Sequence, residues 1–394
     1  MNRWKQWTGW FVGIVLLIGV SGCTADEGSE TATAEEAQSN KEIFYVGTFS
    51  DEGLFVYEFD RENRTFTEIQ QLTEKPSPNF QIIHPDGQTL YSISGEAPEG
   101  MDEVGSVAFY RIDAESGRLS WLGERSTMGR GPAHVSVDPM GRFVYVSNYG
   151  GGSIASYPVL EDGSLGEAVS VIQHEGGSMV NEQRQQRPYA HSTIPSPDGQ
   201  YIYTSDLGMD KIMIYAVDQQ TGELSPAEQP YAETEPGSGP RHFAFHPDGE
   251  FAYSVEELSS TVTAFRYDAS TGGLENLQVI SMLPEGYEER SSAADIHLSP
   301  DGRYLYATNR GHDSTAIYSI DSETGMLEMV GIEPTRGGHP RNFAVDQSGE
   351  FVFVTNRDND NLVLFERDAE TGLLTYTGVE ATVPRAVCVT QHWL

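Results

Sequence analysis

Lysine is almost missing from this chain. Four lysines and twenty arginines face 59 acidic residues, and the formal net charge is −35 at neutral pH. Such a balance repels polyphosphates and anionic bilayers, so nucleic acid and an electrostatically held membrane surface are excluded as partners. A lysine-poor acidic surface also stays hydrated at high salt, as expected of a salt-loving source and equally of an acidic envelope protein. Cysteine is scarce too. With only Cys23 and Cys388 there is no disulfide framework, and Cys388, in an apolar run near the C-terminus, reads as a small buried residue. The sequence holds no Gly-Lys-Ser/Thr phosphate loop, no Gly-x-Ser-x-Gly elbow and no paired-cysteine zinc motif, so covalent serine or cysteine catalysis has no support and no cofactor is implied. Helical periodicity is nearly absent after the N-terminus, which disfavours a parallel α/β fold.

Long hydrophobic runs are missing as well. The apolar stretch Trp10 to Val20 is short for a membrane span, follows Arg3 and Lys5, and ends in Val20-Ser21-Gly22-Cys23. Basic residues, a short apolar core and small residues make a secretory leader, and the last four residues resemble a bacterial lipobox. Residues 1–22 are therefore read as a lipoprotein signal peptide, with lipidation at Cys23 and export to the cell envelope, an uncleaved N-terminal anchor being the rival reading. Residues 23–41, rich in Glu, Ala, Ser and Thr, read as a disordered tether, and the folded domain is expected over 42–394.

What fills that domain is one phrase repeated. HPDGQTLYSIS from His84, SPDGQYIYTSDLGMDKIMIY from Ser196 and SPDGRYLYATNRGHDSTAIY from Ser299 are three of six copies, whose turn glycines are Gly87, Gly141, Gly199, Gly249, Gly302 and Gly349. A period of about fifty residues built of short strands predicts a β-propeller. Each copy supplies strand A before the turn and B after it, then a polar loop, strand C, a second glycine turn such as SETGMLEMVG from Ser322, and strand D. The chain ends complete a further blade: KEIFYVGTFSDEGLFVYEFD from Lys41 matches B and C, and PRAVCVTQ from Pro384 supplies A. The expectation is an all-β, seven-bladed propeller of four antiparallel strands per blade, closed by the C-terminal strand joining the N-terminal blade.

Strand parity then locates the chemistry. In a meander the A–B and C–D turns share one face, and the B–C loops and D-to-A crossovers share the other. Eight and seven residues before each turn glycine, at the start of strand A, stand Asn79-Phe80, Ala133-His134, His191-Ser192, Arg241-His242, Ala294-Asp295 and Arg341-Asn342, with Arg385 in the closing strand. Seven and eight residues after it stand Ser94-Gly95, Asn148-Tyr149, Asp206-Leu207, Glu256-Glu257, Asn309-Arg310 and Asn356-Arg357. Both series ring one central mouth, and two long irregular stretches, Ser94 to Ser106 and Glu167 to Tyr189, reach the same face. The aromatic residue four after each glycine, from Tyr91 to Phe353, is assigned to inter-blade packing.

His191, Arg241, Glu257 and Arg310 are the catalytic candidates. Arginines clamp anions and stabilise an oxyanion, while a glutamate or histidine takes a proton from water, a set suited to hydrolysing a cyclic ester with an anionic group. The same four read equally as an Arg–Glu brace between blades with His191 as a satisfied buried histidine. His134, Asn148, Asp206, His242, Asp295, His297 and Arg341 are the substrate-binding candidates, His297 being expected to face the channel. His134, His242, Asp295 and Asp206 lack tight ligand spacing, so no metal is predicted.

NYGGGSIASY from Asn148, SDLGMDKIMIY from Ser205, GPRHFAFHPDG from Gly239, EELSSTV from Glu256, SPDGRYLYATNRG from Ser299 and GGHPRNFAVDQSG from Gly337 resemble the seven-bladed lactonase family, over residues 42 to 390. That family includes bacterial 6-phosphogluconolactonases and fungal carboxy-muconate lactonizing enzymes. The resemblance implies lactone ring opening or closing centred on His191, Arg241, Glu257 and Arg310. The family's Pro-His-x-His stretch reads Pro188-Tyr189-Ala190-His191 here, with Tyr189 in place of the first histidine. Sugar-phosphate lactones are cytoplasmic whereas this chain reads as exported, so the substrate is expected to be a small anionic lactone of open identity. A non-catalytic envelope propeller binding a ligand or protein at the same face, and a muconate-type cycloisomerase, are the rival readings.

Overall fold

The computed structural model describes residues 41–394, so the expected leader, Cys23 and all of the expected tether except Lys41 lie outside the described residues. Seven four-stranded antiparallel sheets make the blades of a β-propeller. In blades 2 to 7 the A strands are Phe80–Ile83, Pro132–Val137, Ala190–Pro195, Pro240–Phe245, Ser292–Leu298 and Pro340–Val345, and the B strands are Thr89–Ser94, Phe143–Asn148, Tyr201–Asp206, Phe251–Glu256, Tyr304–Arg310 and Phe351–Asn356. Each A strand touches the A strands of both neighbouring blades, which puts the A strands around the axis. Blade 1 joins the two ends of the chain. Its A strand, Ala386–Trp393, pairs antiparallel with Glu42–Thr48, setting Val46 opposite Val389, and no blade is left incomplete.

Strands B and C are apolar on both faces because each blade is covered by a blade on either side. FVYVSN, Phe143–Asn148, is buried throughout, whereas the outer strand Leu224–Glu233 alternates with solvent. Seam packing is directional. Tyr45, Tyr91, Tyr203, Tyr253 and Tyr306 are fully or almost fully buried and donate their hydroxyls to the carbonyls of Gly117, Gly163, Gly272, Gly325 and Gly372, each in the C–D turn of the next blade. Gly325 shows why the turn needs glycine. Its φ is +72°, and a Cβ there would lie 2.2 Å from the Phe251 ring of the preceding blade. At the closing seam the repeat has Phe353, which cannot donate. There Arg61 of blade 1 supplies the polar link, pairing with Glu350 at 2.8 Å and with Asp346.

Candidate active site

A local irregularity aims side chains into the mouth of the ring. Near the start of strand A in blades 3, 4, 5 and 7 the pairing register slips: Ala190 faces Asp206 but Ser192 faces Ser205, and the same shift follows Pro132, Pro240 and Pro340. The extra residues are Ala133, His191, Arg241 and Arg341. A bulge of this kind re-aims one side chain at the end of a strand. The second contribution comes from the residue that ends or immediately follows strand B. Gly95, Tyr149, Glu257, Arg310 and Arg357 all line the same cavity of about 400 Å³, and Leu207 does not.

Glu257 is the centre of this arrangement. Its Oε2 lies 3.2 Å from Arg241 Nε and 2.9 Å from Arg310 Nη2, and its Oε1 lies 2.6 Å from Arg184 Nη2. His191 Nε2 stands 4.0 Å from the same Oε2. Burial pushes the Glu257 carboxyl up, but Arg310, Arg241 and Arg184 outweigh it and hold the group well below the usual carboxylate range. Burial, reinforced by Arg241 and His242, holds His191 well below the ordinary imidazole value, so it stays neutral. The Arg310 guanidinium also donates to the carbonyls of Ser292 and Ala293, through Nε at 3.3 Å and Nη2 at 2.5 Å. Tyr149 adds its hydroxyl, 3.1 Å from Arg184 Nη2, and its ring, 5.2 Å from that of His191.

Behind the mouth lies a polar chain along the axis. Asp295 accepts from His242 Nδ1 at 2.5 Å, His297 Nε2 at 2.9 Å, Asn342 Nδ2 at 2.5 Å and the Phe343 N–H at 3.3 Å. With Nδ1–H given to Asp295, His242 Nε2 is an acceptor, and Arg241 Nη1 is 3.3 Å from it. Asp295 therefore orients Arg241 through His242. His134 packs between the rings of Phe80 and His242, at 4.4 and 5.4 Å, and is not among the residues that line the cavity.

The structure thus brings His191, Arg241, Glu257 and Arg310 together, sets Arg341 in the cavity wall, and strings His134, His242, Asp295 and His297 along the channel behind. It does not bring Asn148 or Asp206 to the cavity. Asn148 Nδ2 donates to the Thr127 carbonyl at 2.8 Å, tying the crossover from blade 2, and Asn356 does the same to Thr335 at 2.9 Å. Asp206 accepts from His174 Nδ1, the Tyr189 N–H and the Gly208 N–H at 2.6 to 3.0 Å, and so fastens both ends of the loop between residues 174 and 189. Where the strand B apolar run ends, Asn148, Asp206 and Asn356 are structural locks, and the next residue reaches the cavity in blades 3 and 7 but not in blade 4, where it is Leu207. Arg385 is exposed ahead of the closing strand and lies apart from the cavity lining. Tyr189 packs against Tyr149 in a tilted pair with ring centroids 4.8 Å apart. No cluster of metal-ligating side chains occurs among the described residues, and Asp206 is engaged by His174 and by the Tyr189 and Gly208 N–H groups instead.

Arg184, His339 and Phe49 line the cavity but were not nominated from the sequence, and neither were Gly131 and Pro132 ahead of the blade 3 bulge. Arg184 rides on the Glu167 to Tyr189 stretch, whose length was the only signal. His339 sits in the quoted GGHPRN phrase at φ +59°, and Phe49 follows strand B of blade 1, where the turn-glycine ruler does not reach.

The family profile described as "Lactonase, 7-bladed beta-propeller" matches residues 43–391. The chain belongs to the seven-bladed β-propeller lactonase family. It is 38% identical over 309 residues to a 6-phosphogluconolactonase of Bacillus subtilis, covering 78% of this chain and 85% of that one. A 6-phosphogluconolactonase of Formosa agariphila is 35% identical over 311 residues, covering 77% and 86%. Among solved structures, the periplasmic gluconolactonase of Pseudomonas aeruginosa superposes with a TM-score of 0.83 at 34% identity, over 89% of this chain and 99% of that one.

The channel imidazoles make stability depend on pH. Burial holds His134 and His191 well below 6.5 and His242 down to about 4. Below pH 6.5 the unfolded chain takes up protons that these groups refuse when folded, so their effect is absent above 6.5 and increasingly destabilising as pH falls. His297 has the opposite sign: Asp295 outweighs burial and raises it, so its contribution is full below 6.5 and lost as pH rises through the raised value. Urea unfolding between pH 7.5 and 5 should show stability falling with pH, and His134→Phe should flatten the slope by up to about 1.4 kcal/mol per pH unit. Identical slopes in the two proteins would refute the assignment.

Proposed function

We propose that this chain hydrolyses a small anionic lactone, with chemistry like that of its 6-phosphogluconolactonase relatives. One observation carries the reading: a neutral, buried histidine faces an Arg–Glu–Arg cluster inside a cavity lined by four arginines and a single carboxylate, in a chain of net charge −35. A cationic hollow in so acidic a molecule suits an anionic ligand and a reaction that develops negative charge on oxygen.

His191 is the base in this scheme. Glu257 is a poor base because three guanidiniums stabilise its charged form, and its part is to hold Arg310 and Arg184 in place. Arg310 Nη1, which has no hydrogen-bond partner among the described residues, polarises the lactone carbonyl. His191 takes a proton from water as the water oxygen bonds to the carbonyl carbon. The tetrahedral intermediate then breaks its bond to the ring oxygen, which leaves with the proton from the imidazolium. The product is an open hydroxy acid, ionised at neutral pH. Asp295 and His242 hold Arg241, and Arg241 holds Glu257, so these act by positioning.

The names of the Bacillus subtilis and Formosa agariphila relatives support a phosphorylated gluconolactone, and the Pseudomonas aeruginosa name supports gluconolactone in an exported setting. Acid release from a panel of lactones, followed by a pH indicator, tests the reaction. His191→Asn should lower kcat on the order of 100- to 10,000-fold with the fold intact. Undiminished turnover would remove His191 from the mechanism, and an ultraviolet change without acid release would indicate cycloisomerisation instead.

Export and lipid anchoring complete the proposal, resting on Arg3, Lys5, the apolar run Trp10 to Val20 and Cys23. Cys23→Ala should abolish incorporation of labelled fatty acid into the protein. Equal labelling of the variant would contradict lipidation at that thiol.

A further inference from the structure

Arg341 is the cavity arginine with no carboxylate within ion-pair distance among the described residues, and Glu257 acts on it only from farther away. Glu257 takes Arg184 and Arg310, and Arg357 pairs with Asp358 at 2.7 Å. The Arg341 guanidinium makes no hydrogen bond and no ion pair among the described residues, and its one recorded contact is the face of the Phe49 ring, 4.9 Å from the centroid. It is half-buried, and burial together with Arg310 lowers it to about 10. Withdrawing a cation from water without a carboxylate is unfavourable, and the bulge at the head of strand A holds it there nonetheless. The neighbouring imidazole of His339, lowered to about 3 by burial, Arg310 and Arg357, adds no competing charge and remains able to donate one hydrogen bond.

We propose that Arg341 is a specificity residue that binds an exocyclic oxyanion of the lactone, a phosphate monoester in the favoured case. This deepens the lactonase reading and rests on it for the identity of the ligand. Its logic is a division of labour. Arg310 and His191 serve the ester, and Glu257 keeps Arg184 and Arg241 from the substrate's charge. Arg341, in blade 7, is left to hold the anion away from the ester carbonyl. Its open fork suits two oxygens of a phosphate, and the Phe49 face leaves its N–H edge free. A neutral lactone would leave that guanidinium unmatched, so the site discriminates by charge as well as shape.

Two measurements with the full chain test this. The first compares kcat/KM for 6-phosphoglucono-lactone and for the unphosphorylated glucono-lactone. Wild type should prefer the phosphorylated compound, Arg341→Gln should reduce that preference on the order of 10- to 100-fold through KM, and Arg341→Lys should restore part of it. Equal activity of wild type on both lactones, or an unchanged preference in Arg341→Gln, overturns the proposal. The second is calorimetric titration with inorganic phosphate, which needs no turnover. Binding by wild type that is lost in Arg341→Gln supports the anion site even if every lactone fails, an outcome that would sink the lactonase reading alone. No binding, or equal binding by both proteins, overturns the site.

Discussion

The mouth of this propeller depends on one carboxylate. Glu257 receives guanidiniums from three separate elements: Arg184 on the loop ahead of blade 4, Arg241 at the head of strand A in blade 5, and Arg310 at the end of strand B in blade 6. All three cations would repel one another at this range without it, since an unscreened pair in a partly buried site interacts by several kcal/mol. Glu257 sets their spacing, and its own charge is fixed in return. The same saturation disfavours it as a proton acceptor, and in the proposed mechanism the base is the neutral His191 beside it.

The ring supplies these groups by repetition with small departures. A bulge recurs at the heads of several A strands, and its extra residue is Ala133 in blade 3, His191 in blade 4, Arg241 in blade 5 and Arg341 in blade 7. One backbone device thus presents different side chains to one cavity, and function is written by changing the residue, not the scaffold. The conflict between the acidic molecule and the basic mouth is resolved by distance. Surface carboxylates are screened over about 8 to 10 Å at ordinary ionic strength, so the inner arginines decide the local field.

Much of this was legible in the sequence, for reasons that differ by element. The turn glycines and the buried run after them specify blades directly, since a blade covered on both sides needs an apolar strand between fixed turns. Closure by Ala386–Trp393 followed from the unmatched B and C strands at Glu42, and the convergence of His191, Arg241, Glu257 and Arg310 followed from strand parity. The division within the slot after strand B was not legible. Asn148 stands one residue from the cavity-lining Tyr149, and only the hydrogen bonds of Asn148 to Thr127, like those of Asp206 to His174 and Tyr189, mark a structural lock. Arg184 was also out of reach, because no period governs the long loop that carries it.

The most direct test of the Glu257 claim is the stability of Glu257→Gln at pH 7, measured by urea unfolding against wild type. Leaving three buried or partly buried cations without their carboxylate should destabilise the protein by about 3 to 5 kcal/mol. A variant as stable as wild type, or more so, would contradict the view that this single charge holds the mouth together.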